Sequence, residues 1–159
     1  KVVGLQGKKS HIPPFIASCF DDVCNSLGKV NEISELDLAK SEIKVILRKY
    51  IKLLQNKEFK KEDLVYRVRV HKNEASGQDY KVADEYRKRG IDIKAGDFIR
   101  KVLKKGLPKA YPVEFIRSSE IDTEAYINAI YSVLEPVLTP LGLNRGLIEY
   151  PENPNLRPF

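Results

Sequence analysis

The strongest constraint in this chain is a change of apolar period. Between residues 13 and 54 apolar side chains recur every three or four positions, whereas from Leu64 to Val70 they alternate. A period of 3.6 belongs to a helix with one buried face, and a period of two to a half-buried strand. Pro13-Pro14 suits a first helical turn, whose N–H groups have no partner in any case. Phe15, Ile16, Cys19, Phe20, Val23 and Leu27 then line one face, and Gly28 ends the run. Ser34 with Asp37 three residues on predicts a capping box for a second helix of about 20 residues. Its apolar face is Leu36, Ala39, Ile43, Ile46, Leu47, Tyr50, Ile51 and Leu54, so the two helices are expected to pack as a hairpin.

Beyond Leu64 the expected elements are short. Val65, Arg67 and Arg69 alternate with Tyr66, Val68 and Val70, and "QDYKVADEYRKRG" reads as a helix stopped by Gly90. "KAGD" at 94–97 is a turn, and "FIRKVLKKG" and "YPVEFIR" read as a strand pair. Asp122 caps a final helix that carries Tyr126, Ile127, Ile130, Val133, Leu134, Val137 and Leu138, with Pro136 kinking it or ending its first part and Gly142 stopping it. The tail "EYPENPNLRPF", with its three prolines, is expected to be extended. The fold class that follows is α+β and helix-dominated: a helical hairpin, a small antiparallel sheet and a long C-terminal helix. Residues 1–12 form a lead-in segment, 13–143 one domain, and 144–159 an extended C-terminal tail.

Several function classes find no support. "GLQGKKSH" has the residue types of a phosphate-binding loop, but Gly4 and Gly7 are separated by two residues rather than four. Lys8 is followed by Lys9 instead of Ser or Thr, and no strand precedes it. No run of 18 apolar residues offers a membrane span, and no secretory signal opens the chain. Cys19 and Cys24, five residues apart, lie about 140° apart around a helix, a poor geometry for a disulfide or a shared metal. They are expected to be buried thiols in a reducing cytoplasm. His11 and His71 stand apart from each other and from the cysteines, so no metal site is expected. Neither a Ser-His or Cys-His pair nor a tight Asp pair suggests catalysis by this chain alone. The chain contains no methionine and starts at Lys1, which reads as a piece of a longer protein.

The charge is concentrated. Between residues 40 and 61 eight Lys or Arg face two Glu, a surplus equal to the net charge of +6 on the whole chain. Lys40, Lys44, Arg48 and Lys52 recur every four residues and form a cationic stripe beside the apolar face. Either an ordinary lysine-rich exterior or a phosphate-tracking surface would look like this. Lys8, Lys9 and Ser10 make a second candidate cluster, and Arg67, Arg69 and Lys72, with Lys81 on the following helix, a third. Arg67 and Arg69 share one strand face, where they either meet phosphate or pair with carboxylates. The aromatics fall mostly on apolar faces and show no base-stacking pattern, which favours contact through backbone phosphates.

Three motifs carry a resemblance. "GLQGKKSHIPPF", the helix running into "RGIDIKAGDFI", and the last helix with its D-x-E-x-Y-I start and internal Glu-Pro-Val resemble the thumb domain of archaeal family B DNA polymerases. The resemblance covers residues 3 to about 143. It implies a domain that grips newly made primer–template duplex behind the active site, with residues 1–12 as the palm–thumb junction. Lys8 and Lys9 stand where that family has basic residues, and Lys81 matches a lysine of some members. The palm motifs D-x-x-S-L-Y-P and Y-x-D-T-D do not occur here, so the resemblance implies a polymerase part without catalytic carboxylates. The parent polymerase would use Mg, and this chain would need no cofactor. The palm and exonuclease portion would be a partner, and the location cytoplasmic, at the nucleoid. Asn153, Leu156 and Phe159 stand where a sliding-clamp-binding peptide has its Gln, aliphatic and first aromatic, although the second aromatic is missing; a plain disordered tail is the other reading. Two rival functions are an RNA-binding module and a basic helical module that meets an acidic protein.

Overall fold

The computed structural model of the chain describes residues 12–71 and 77–150. Helix α1, Pro14–Gly28, begins at the proline pair, with Pro13 extended (φ −62°, ψ 150°) and its carbonyl accepting from Ala17 N–H at 3.0 Å. Helix α2, Leu36–Gln55, follows a 3-10 turn over Ile33–Glu35. The expected Ser34–Asp37 capping box does not form. Ser34 already lies inside the turn, so the Glu35 carboxylate reaches back to the Glu32 N–H (3.2 Å) instead, and Ser34 Oγ donates to Glu32 Oε2 (3.4 Å). The two helices pack as a hairpin through Phe15, Cys19, Val23, Ile43, Leu47 and Leu54. Two polar ties cross it: Ser26 Oγ donates to Glu42 at 2.7 Å, and Tyr50 OH to Asp22 at 2.6 Å.

A third long helix completes this layer. It is α4, Thr123–Leu138, and it is introduced by Asp122, whose side chain accepts from Ala125 N–H at 3.1 Å. Pro136 sits near the C-terminal end, and the helix runs past it to Leu138. Its ring leaves the helix without one donor, the N–H that would meet the Ser132 carbonyl, and the helix ends two residues later. Between the helices comes a three-stranded antiparallel sheet in the order β1-β2-β3, formed by β1 (Tyr66–Arg69), β2 (Phe98–Leu103) and β3 (Ala110–Pro112). The "YPVEFIR" segment is a strand only as far as Pro112; a 3-10 turn over Val113–Phe115 follows, as proline removes the ladder donor.

Helix α3, Gln78–Lys88, connects β1 to β2 and covers one sheet face. Its Val82, Ala83 and Tyr86 meet Val70, Ile99 and Ala110 in a cluster separate from the main core. Gly90 (φ +83°) ends the helix in a conformation that a side chain would strain.

One side chain joins the parts. Tyr126 of α4 is fully buried; its OH donates to the Leu64 carbonyl at 2.6 Å and accepts from Leu103 N–H at 3.0 Å. Burial pushes its phenol well above the usual tyrosine range, so it stays protonated.

The described part of the expected tail differs from an extended segment. Asn144 caps a short helix α5, Arg145–Glu149, by accepting from Leu147 N–H at 2.9 Å. Ile148 is fully buried against the main core, and α5 packs on α2. Arg145 fastens the helix by donating to Glu124, to Glu149 and to Asn128 Oδ1. Cys19 is buried, and its thiol is pushed up to about 12, chiefly by burial; Cys24, expected to be buried, is half-exposed. Among the described residues no helix is long and apolar enough to cross a membrane, and no group of three His, Cys, Asp or Glu could hold a metal ion.

Candidate nucleic-acid interface

The basic clusters expected from sequence fare differently. Lys8, Lys9, Ser10 and Lys72, together with Asn153, Leu156 and Phe159, lie outside the described residues. The α2 stripe is present on one side of the helix, flanking the buried residues Ile43, Leu47 and Ile51. Lys40 and Lys44 are half-buried and Lys52 is exposed. No described carboxylate lies within ion-pair distance of any of the three. Glu42, the acid nearest in sequence, is turned away to accept from Ser26.

Arg48 breaks the uniformity of the stripe. Its Nε donates to the Ile148 carbonyl at 2.6 Å, so the guanidinium holds α5 against α2. The contact joins residues a hundred positions apart, and no local pattern announces it. A groove of about 260 Å³ beside it is lined by Arg48, Ile51, Lys52, Gln55, Glu149 and Tyr150.

On the sheet, Arg67 and Arg69 are both exposed, alternating with half-buried Tyr66 and Val68. Of the two readings left open by sequence, pairing with carboxylates does not occur among the described residues. Their guanidinium carbons stand 3.8 and 4.8 Å from the centroid of the Phe98 ring. The register explains this, because Arg69 lies opposite Phe98 and Arg67 opposite Arg100 on the same face. Stacking on an aromatic ring holds a guanidinium in place while leaving its N–H groups free to donate.

Phe98 is 39% exposed, and the expectation that the aromatics are mostly core misses it. The signal was in the sequence: an alternating strand that pairs with one bearing outward arginines must present a residue of its own beside them. Lys81 is exposed, but α3 packs on the Val68 and Ile99 side of the sheet, opposite the arginine pair. The structure therefore separates Lys81 from Arg67 and Arg69. Two cationic surfaces result: lysines on α2, and stacked arginines on the open face of β1.

No protein-family profile matches the chain. The architecture is similar to a segment of a larger fold: a solved family B DNA polymerase from the hyperthermophilic archaeon Pyrobaculum calidifontis superposes with a TM-score of 0.72 at 19% identity, over 85% of this chain and 19% of that one. Among curated proteins the chain is similar to DNA polymerase 1 of Sulfolobus acidocaldarius, 24% identical over 149 residues, and of Sulfurisphaera ohwakuensis, 26% identical over 147. These matches cover 91% and 89% of this chain, but it spans only 17% of the length of either relative.

Proposed function

We propose that this chain is the thumb part of a family B-type DNA polymerase and grips primer–template duplex through backbone phosphates. The carrying observation is that Lys40, Lys44, Lys52, Arg67 and Arg69 are left without a carboxylate partner among the described residues. Five other described cations, Lys88, Lys94, Arg100, Lys101 and Arg145, do have one; Lys101 pairs with Asp79 at 2.6 Å. Cations grouped on one side of a helix and on one strand face, with no carboxylate set against them, fit an external anion. The likeness to segments of archaeal DNA polymerase 1 points to duplex DNA as that anion. Bond formation and its magnesium ions would belong to palm motifs that this sequence does not contain.

Lysines acting as point charges track a backbone, and the free N–H groups of the stacked arginines can fork onto phosphate oxygens, so binding should ignore sequence. The test is a fluorescence-anisotropy titration with a duplex at several salt concentrations. The four to five phosphate contacts of these cations contribute about −4 to the slope of log K against log salt. Shuffled duplexes should bind equally. A strong preference for one sequence, or for A-form RNA over B-form DNA, would contradict the proposal and favour the RNA-binding reading.

A further inference from the structure

From Phe98 to Val113 the chain carries Arg100, Lys101, Lys104, Lys105 and Lys109 and no Asp or Glu. The structure divides these five cations sharply. Arg100, at the base of the β2–β3 hairpin, is paired with Glu62 and Glu114, and Lys101 with Asp79. Lys104, Lys105 and Lys109, at its tip, have no carboxylate within ion-pair distance among the described residues. Between them Leu107 is 81% exposed. The backbone of the tip is fixed at several points. Lys104 N–H donates to the Lys109 carbonyl at 2.7 Å, and Lys105 N–H to the Glu120 carbonyl at 2.9 Å, just ahead of α4. A groove of about 530 Å³, lined by Gln78, Lys104, Leu107, Lys109 and Asp122 among others, runs beneath it toward the starts of α3 and α4. The Asp122 carboxylate is occupied in capping α4.

We infer that this hairpin tip is a separate binding site for the sugar–phosphate backbone of duplex DNA, distinct from the α2 stripe and the arginine pair. Lys104, Lys105 and Lys109 meet phosphates, and Leu107 lies against the sugar edges between them. The inference rests on the DNA reading above for its ligand. Three lysines without an arginine supply charge but no bidentate geometry, which suits contact that tracks a backbone without reading bases. An exposed apolar residue flanked by such lysines gains by leaving water against the sugar edges.

The test uses the whole chain and the anisotropy assay with a 20-base-pair duplex. Changing Lys104, Lys105 and Lys109 together to Gln should lower the salt slope by about 2 to 3 units, since each lost phosphate contact removes about 0.9. Leu107→Ser should weaken binding several-fold and leave the slope unchanged, because no charge is altered. Both variants sit on the surface, and an unaltered circular-dichroism melt checks their fold. If the unaltered chain binds but the triple variant matches it in affinity and slope, the hairpin site is refuted while the polymerase reading stands. If the unaltered chain fails to bind duplex at low salt, both fall. Displacement of the duplex by polyglutamate at equal charge concentration would also overturn the site, marking the tip as a surface for acidic proteins.

Discussion

Tyr126→Phe should lower the stability of the domain by about 2–4 kcal/mol, because it strands the Leu64 carbonyl and the Leu103 N–H together. The ring itself is not at issue. It stacks on Tyr66 with centroids 6.0 Å apart, and phenylalanine keeps that contact and its burial. What is lost is one oxygen that serves two backbone groups from different parts of the chain, in a place where the side chain is fully buried. An unsatisfied buried backbone group costs on the order of 1–3 kcal/mol. For a chain of this size the loss corresponds to a melting temperature lowered by about 5–15 °C. Thermal or urea denaturation measures it directly. A change below about 0.5 kcal/mol would mean that both groups find other partners, and Tyr126 would be only a packing residue.

The largest expected effect on binding comes from the α2 stripe. Changing Lys40, Lys44 and Lys52 together to Gln should weaken duplex binding about 100-fold near 0.15 M salt, the counterion-release term of three phosphate contacts. The salt slope should fall by about 2.7 units in the same experiment. Arg48 is left in place, because removing it would also free the Ile148 carbonyl and confuse binding with the docking of α5. Stability should change little, and it should rise if anything, since like charges four apart on a helix repel by about 0.2–0.5 kcal/mol per pair. Unchanged duplex affinity would assign the stripe to an acidic protein partner.

The parts of this fold that were legible are those in which a periodic face meets a stop signal. Phe15 to Val23 ending at Gly28, and Ala39 to Leu54 on α2, announce both helices through several turns of repetition. Asp122 and Gly90 do their work within three or four residues of their own position, and so could be read locally. Ser34 misled because capping depends on which residue is the last non-helical one, and an inserted 3-10 turn moved that position back to Glu32. Helix α5 was invisible for a different reason: five residues with one buried side chain, Ile148, contain no period. The candidate site divides along the same line. The spacing of Lys40, Lys44 and Lys52 is a property of one helix, whereas Arg48 at Ile148, Arg67 and Arg69 at Phe98, and the neutralisation of Arg100 and Lys101 depend on residues brought together from elsewhere in the chain.

The two apolar clusters imply a graded pattern of amide protection. β2 belongs to both, with Ile99 in the small cluster under α3 and Val102 in the large one beneath the helices. Helix α3 buries only Val82, Ala83 and Tyr86, and is otherwise tied by exposed or part-buried polar contacts such as Lys101–Asp79, whereas α1, α2 and α4 share one extensive core. A unit with so little buried apolar surface opens at lower free energy than the rest. The amides of Val82 to Tyr86 should therefore exchange with deuterium well before those of Ile43 to Leu54, with β2 protected to the level of the helices. On this account α3 can lift from its sheet while the arginine-bearing strand stays clamped to the helical layer, so local opening of the domain leaves the open face of β1 in place.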